Sequence, residues 1–394
     1  MALIDLQKSV FLTGATGVLG GRILEDILRL TRAHVYCLVR GDDHEHCMAR
    51  LRTILGLYDI SGELESDLLA RVTILQGDVT EERLGLPVHV YAELQAQTDI
   101  TIHAAANTSL LAKYGRLAPI NVGGTGRVIE FCLGTTSRTL SYVSTYTVMG
   151  NKTFDSDFRF READYDVGQK FEHMSYQRSK YIAEGMVRAA SERGLRWRIF
   201  RPGQIYGDSV TGAYPHSATQ VTGLFYDLFK SAMDTGVMPE SHIHYDVVPV
   251  DYVSRAIVTL SAHTENLFEV YHLTNPDAKT FAQVMALLQD LGYEILLLPE
   301  ERYKQRLRAG EITKDGKQYS SAMLQAFRRW YFVAKISFFD SAVTDCEYTR
   351  AKLECRGVTC APIDRGLIEK YVNTGIREGY FPRPTKVECG EVIA

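Results

Sequence analysis

Val10-Phe11-Leu12-Thr13-Gly14-Ala15-Thr16-Gly17-Val18-Leu19-Gly20 is the stretch on which the fold turns. Its apolar start reads as a buried strand and its glycines as a tight turn. From Val18 on, Ile23, Ile27 and Leu30 recur at helical spacing. One glycine bends the backbone sharply, a second lets a pyrophosphate approach, and a third lets helix and strand pack closely. N–H groups at the helix start, helped by the helix dipole, favour the phosphate's negative charge. The spacing is GxxGxxG rather than GxGxxG. In this strand–turn–helix setting it predicts a dinucleotide site.

The same alternation of short apolar runs and amphipathic stretches continues to about Arg201. Val35–Val39, Val72–Leu75, Ile100–Ile102, Leu140–Val143 and Trp197–Phe200 are nearly continuous in apolar character. Strands buried on both faces of a parallel sheet look like this. The fold class is α/β, a doubly wound parallel (Rossmann) sheet with a smaller, mostly helical C-terminal substrate lobe. Beyond Gly207 the rhythm loosens: a helix-like run spans Leu224–Met233, His244–Val253 reads as a strand feeding a helix, and Val270–Thr274 as another strand. From about Thr280 the chain reads as helical, with a basic, loop-like Arg302–Lys317. The expected division is a Rossmann domain at 1–207, to which 244–276 returns, and a substrate- and carrier-binding lobe at 208–243 and 277–394.

Length and composition agree with two lobes of a globular chain: 394 residues, 45% hydrophobic, 23% charged, net charge -4. That balance argues against nucleic acid or an anionic membrane as main partner. No stretch of about 18 uncharged apolar residues exists to span a bilayer. Cys37, Cys47, Cys132, Cys346, Cys355, Cys360 and Cys389 form no CxxC pair, which suits a reducing compartment. Met1–Lys8 has neither the basic start nor the apolar core of a signal peptide, so the chain reads as cytoplasmic.

At the end of the second strand, where an NAD site places an acid for the ribose 2′-OH, stands Arg40, with Arg50 one helical segment later. Two cations there suit a 2′-phosphate, hence NADPH. Tyr176-Gln177-Arg178-Ser179-Lys180 places a phenol and an ammonium four residues apart, on one helix face. A tyrosine titrates near ~10, and a nearby cation favours its phenolate and eases proton exchange. Val143-Ser144-Thr145 ends a strand at the edge where such sheets bind ligands, and a hydroxyl there can join the phenol in stabilising an oxyanion.

With these three motifs in this order the sequence resembles the extended short-chain dehydrogenase/reductases. It also carries Gly77-Asp78-Val79, His103-Ala104-Ala105-Ala106, Asn121-Val122-Gly123-Gly124-Thr125 and Arg201-Pro202-Gly203-Gln204-Ile205-Tyr206-Gly207. Within that superfamily it is similar to the thioester reductase domains of nonribosomal peptide synthetases and carboxylic acid reductases. Tyr36–Arg40, Asp246–Val253 and Gly379-Tyr380-Phe381-Pro382 add to that likeness. The resemblance implies NADPH contacts from Gly14, Thr16, Gly17, Val18, Leu19, Gly20, Arg40, Arg50, Asp78, Val79, His103, Ala104, Ala105, Asn121, Ser144, Tyr176, Lys180, Pro202, Gly203 and Ile205. It implies catalysis by Thr145, Tyr176 and Lys180. Counting back from Gly150, Thr145 matches the family's hydroxyl, with Ser144 as the alternative.

The activity so implied is NADPH-dependent reductive release of an acyl or peptidyl thioester from a carrier protein's phosphopantetheine arm. The product is an aldehyde, or an alcohol after a second reduction. With its own Met1 and no carrier domain before it, the chain reads as a free-standing reductase or an excised domain. The rivals are a sugar-nucleotide epimerase, a hydroxysteroid-type dehydrogenase, or a nonenzymatic NADP sensor. A sensor would usually lack the tyrosine or lysine that both stand here.

Other clusters read more plainly. His44, His46 and Cys47 crowd a charged, helix-like run, and no metal site is expected. Phe327, Trp330-Tyr331-Phe332, Phe338 and Phe339 fit an acyl channel or a core cluster equally well. Arg302, Lys304, Arg306, Arg308 and Lys314 suit a solvated face, or a dock for an acidic carrier.

Overall fold

The computed structural model describes residue 4 and residues 8–59, 62–215, 223–263, 265, 267–335 and 341–384. Seven strands form one sheet: β1 (Ser9–Thr13), β2 (His34–Val39), β3 (Val72–Gln76), β4 (Ile100–His103), β5 (Thr139–Val143), β6 (Arg196–Pro202) and β7 (Glu269–Leu273). Their order is β7-β6-β5-β4-β1-β2-β3, and all pair in parallel. The continuously apolar runs are the reason: all five residues of β5 are buried, as they must be with helices on both faces.

After β3 the chain crosses back to place β4 on the other side of β1, so the sheet's winding reverses between them. Thr13 is paired with His103 there, and the crevice beyond the two strand ends is where ligands of such sheets bind.

The helices of this part are α1 (Val18–Leu30), α2 (His44–Tyr58), α3 (Glu65–Arg71), α4 (Val88–Gln97), α5 (Tyr114–Ala118), α6 (Thr125–Gly134) and α7 (Ser175–Ala189). In α1, Ile23, Leu24, Ile27 and Leu28 fall on one stripe and pack in the sheet's core. Next come α8 (Leu224–Thr235) and α9 (Val250–Ala262), which packs against α1. Then follow α10 (Phe281–Asp290), α11 (Glu300–Ala309), α12 (Ala322–Arg329), α13 (Glu347–Glu354) and α14 (Arg365–Arg377). A second core joins α8 to α10, α11, α12 and α14 through Phe229, Met285, Leu307, Phe327 and Tyr371.

Three expectations need correction. His244–Val253 holds two strands of two residues, His244–Tyr245 and Val248–Pro249, before α9 begins at Val250. Arg302–Ala309 is helical, not a loop: Glu300 and Glu301 open α11 and Arg306 and Arg308 close it, as the helix dipole prefers. Lys304 pairs with Glu300 one turn back at 2.9 Å. Finally, Leu353 and Val358, expected in the second lobe, pack in the sheet's core. Among the aromatic candidates Phe327 and Tyr331 are buried, while Phe338 and Phe339, like Cys389, lie outside the described residues.

Candidate active site

The glycine turn is shaped as a cradle. Gly14 holds φ +81°, and a Cβ on it would lie 2.6 Å from the Ala105 nitrogen. A Cβ on Gly20 would lie 2.0 Å from the Gly14 oxygen, so α1 and the turn touch only through glycine. Gly17 N–H closes the turn on Gly14 O at 2.9 Å and caps α1 without a side-chain bond. No acid stands in the first turn of α1 to compete with an anion. Tyr58 OH anchors the Val18 carbonyl at 3.0 Å, and the neighbouring Leu19 packs against the sheet's core. Ala104 and Ala105 donate to the Thr13 carbonyl and hydroxyl at 3.2 and 3.3 Å, tying the β4 end to the turn.

Beyond β2, Arg50 donates to the Arg40 carbonyl and, at 3.1 Å, to the Thr16 hydroxyl. Arg40 is largely exposed and lies 3.8 Å from Asp78, whose carboxylate otherwise accepts from Thr80. Two guanidiniums and a hydroxyl thus gather at the β2 end with no acid at Arg40's own position. Val79 is buried and would lie 2.9 Å from a Cβ on Gly124, which closes the α6 side. This cradle fits the pyrophosphate of a nicotinamide dinucleotide.

His103 is buried and shares hydrogen bonds with Thr13 at 2.7 Å and Thr125 at 3.2 Å. Burial, with the Lys180 charge nearby, pushes its pKa down to about 3, so it is a neutral brace between β1, β4 and α6. Asn121 sits in a widened turn at Pro119–Gly124. It accepts from Asn107 N–H at 2.8 Å and donates to Asn107 O and Ser179 Oγ at 3.0 and 2.9 Å. It therefore fixes the loop after β4 to α7.

At the end of β5 the candidate catalytic groups come together. Tyr176 faces Thr145, whose hydroxyl acts on the phenol as a hydrogen-bonding neighbour. Burial outweighs that help and pushes the phenol up to about 12, so Tyr176 is a proton donor rather than a phenolate. Thr145 Oγ1 also accepts from Thr147 N–H at 3.3 Å. Lys180 is buried, donates to the Val143 carbonyl at 2.7 Å, and holds its ammonium 4.3 Å from the Tyr142 ring centre. The expected pull of Lys180 on the phenol of Tyr176 is not what sets that phenol here.

Ser144, the alternative hydroxyl, donates to Glu184 Oε2 at 2.6 Å. Its side chain is thereby turned into the protein while Thr145 meets Tyr176. Pro202 ends β6, Gly203 N–H bonds the Leu273 carbonyl at 3.0 Å, and Ile205 pairs with Val248. Gly203 leaves room for Asp246, whose carboxylate would lie 1.4 Å from any Cβ there.

Sequence reasoning missed two carboxylates, the buried Glu184 and the partly buried Asp246. Glu184 accepts from Ser144, Arg201 and Arg188. Asp246 accepts from the Gln204 and Asn275 N–H groups at 3.2 and 2.8 Å, and burial pushes it up to about 7. For Glu184 one signal was present: it lies four residues past Lys180, hence on the same face.

The family model described as male sterility protein matches residues 12–257. A linear gramicidin synthase of Brevibacillus parabrevis is 32% identical over 288 residues, which are 73% of this chain and 6% of that protein. Glycine betaine reductase ATRR of Emericella nidulans is 30% identical over 395 residues, 96% of this chain and 29% of that protein. The chain thus spans under a third of the length of these two curated relatives. The solved terminal R domain of the myxalamid PKS-NRPS biosynthetic pathway is 30% identical with a TM-score of 0.82, covering 97% of this chain and 95% of that one.

Proposed function

This chain belongs to the male sterility protein family of NAD-binding, extended short-chain dehydrogenase/reductases, and from that membership we propose that it is an NADPH-dependent thioester reductase. Its substrate is an acyl or peptidyl group held as a thioester on a carrier protein's phosphopantetheine arm, and its product the free aldehyde or, after a second round, the alcohol. What supports this reading is the Tyr176 phenol beside the Thr145 hydroxyl, at the sheet edge that also carries the glycine cradle.

Gly14, Gly17 and Gly20 would hold the pyrophosphate, and Arg40 and Arg50 the 2′-phosphate that separates NADPH from NADH. Bound there, NADPH supplies the hydride that the thioester carbonyl carbon accepts. Thr145 and Tyr176 hold the carbonyl oxygen as its charge grows, and two such donors in a desolvated site stabilise an oxyanion far better than water does. Tyr176 then gives its phenolic proton to that oxygen, leaving a hemithioacetal that collapses to aldehyde and carrier thiol. Lys180, fixed by Val143 and Tyr142 one turn along α7 from Tyr176, would supply positive charge near the pair in its protonated form.

The second core, between α8 and α14, is assigned to the acyl and carrier side. The basic run is not assigned to carrier docking, because much of it is engaged within the chain. Lys304 pairs with Glu300 and Glu301, Lys314 with Asp234, and Arg308 lies over Phe332. Among the described residues no helix is long and apolar enough to cross a membrane.

The test is cofactor consumption with an acyl-pantetheine substrate. Thioester-dependent oxidation of NADPH, faster than of NADH, is expected. No thioester-dependent oxidation, alongside NAD reduction by an alcohol, would overturn the proposal in favour of an ordinary dehydrogenase.

A further inference from the structure

Tyr176, Lys180 and Glu184 stand four residues apart along α7 and meet three consecutive residues at the end of β5. Tyr176 faces Thr145, Lys180 donates to the Val143 carbonyl at 2.7 Å, and Glu184 accepts from Ser144 Oγ at 2.6 Å. The first two contacts belong to the machinery already described. The third does not, and it is the deepest: Glu184 is 0% exposed.

A carboxylate so buried stays ionised only if its oxygens are filled by donors and its charge is compensated. Arg201, also 0% exposed, donates to it at 2.7 and 3.2 Å, and Arg188 at 3.0 and 3.1 Å. Burial pushes the carboxyl up, but the two guanidiniums and Ser144 hold it below the ordinary glutamate range. Arg201 is steadied in turn by the Asp164 carbonyl at 2.7 Å and by His272 at 3.1 Å. Five donor groups from three residues for one carboxylate exceed what a simple helix pin requires.

We infer that Glu184 is a positioning residue of the reductase: through Ser144 it sets the register of α7 against the β5 end, and from one turn along the same helix face its negative charge favours the protonated form of the buried Lys180. This rests on the roles given above to Tyr176 and Lys180.

The surroundings of Lys180 make the second part specific. Burial lowers its pKa to about 7, and Glu184 is the anion that raises it. His103 from β4 is neutral, as is the Tyr142 phenol beneath the ammonium. Arg201 and Arg188 pair with the carboxylate itself. Tyr165 and Tyr181, whose phenols burial keeps protonated, add no charge near Glu184. A group whose protonated form is needed is lost as pH rises through its pKa. Removing the Glu184 charge moves that loss to lower pH.

The decisive variant is Glu184→Gln, with Glu184→Asp and Ser144→Ala beside it. Carbon-13 NMR of Cε-labelled lysine, with the Lys180 signal identified by Lys180→Arg, reads the titration without cofactor or substrate. The Lys180 midpoint should fall by about one pH unit or more in Glu184→Gln. It should stay near wild type in Glu184→Asp and in Ser144→Ala. The alkaline limb of kcat should move with it while the KM for NADPH holds. A folded Glu184→Gln protein with a wild-type Lys180 midpoint would overturn the inference, since a purely structural role shifts stability and not that midpoint. If Glu184→Gln does not fold, Ser144→Ala decides: kcat about fivefold lower at unchanged NADPH KM is expected, and wild-type kcat overturns the inference. Wild-type protein inactive on thioesters would count against the proposed function and leave the NMR result standing on its own.

Discussion

At the end of β5 three residues in a row face polar side chains of α7, whereas between α11 and α12 the contacts are rings against rings. Tyr303 meets Phe327 edge-on at 5.7 Å, and Phe327 stacks on Tyr331 at 5.8 Å. The first arrangement holds oxygens and charges at fixed points and tolerates no change of register. The second is held by area and by volume, and a ring there can be exchanged for another of like size. One molecule thus contains a part where geometry matters more than mass and a part where the reverse holds.

Substitutions can break that contrast, and the largest effect should come from the ring-packed part. Phe327→Ala should cost about 3–5 kcal/mol of unfolding free energy in a denaturant titration. The NADPH Kd of the folded fraction should stay within about twofold of wild type. A comparable loss of cofactor affinity would show that the two parts are not separable.

Tyr176→Phe should do the opposite: turnover lower by about 10² or more, with little change in the unfolding midpoint. Near-normal NADPH oxidation would remove the phenol from its role. A smaller effect is expected at the β2 end. Arg40→Ala with Arg50→Ala should raise the Kd for NADPH about tenfold or more and leave NADH nearly unaffected, measured by cofactor fluorescence. Least of all, Ser321→Ala removes the cap that receives Leu324 N–H at 3.1 Å. It should cost about 1 kcal/mol of stability and nothing in cofactor binding.

The same contrast explains what was legible in the sequence. The turn at Gly14–Gly20, the Arg40 position and the spacing of Tyr176 and Lys180 are local patterns, each dictated by a few neighbouring residues. The strands from Val10 to Phe200 are legible because parallel burial leaves them continuously apolar. Counting back from Gly150 favours Thr145 over Ser144, but the contact that turns Ser144 away, its hydroxyl bonded to Glu184, is tertiary and not legible in the local pattern. Nor is the Arg201 cluster legible: Arg201 and His272 stand 71 residues apart along the chain, and Arg201 joins His272 to Glu184 only when β6, β7 and α7 pack. Arg302–Lys317 reads as a loop because of its many charges, while the order of charges from Glu300 to Arg308 is that of a well-terminated helix and only the part beyond Gly310 turns back as a short hairpin. Leu353 and Val358 cross the expected boundary because α13 lies against β7, a contact between distant segments.

That Thr145 and Tyr176 act on a carrier-bound thioester is tested most directly by loading a carrier protein with an acyl-phosphopantetheine, adding this protein and NADPH, and identifying the released product by mass spectrometry. An aldehyde or the matching alcohol is expected, with a free carrier thiol, and near loss of both with Tyr176→Phe. Release of the carboxylic acid alone, or retention of the acyl group while NADPH is consumed, would contradict that role.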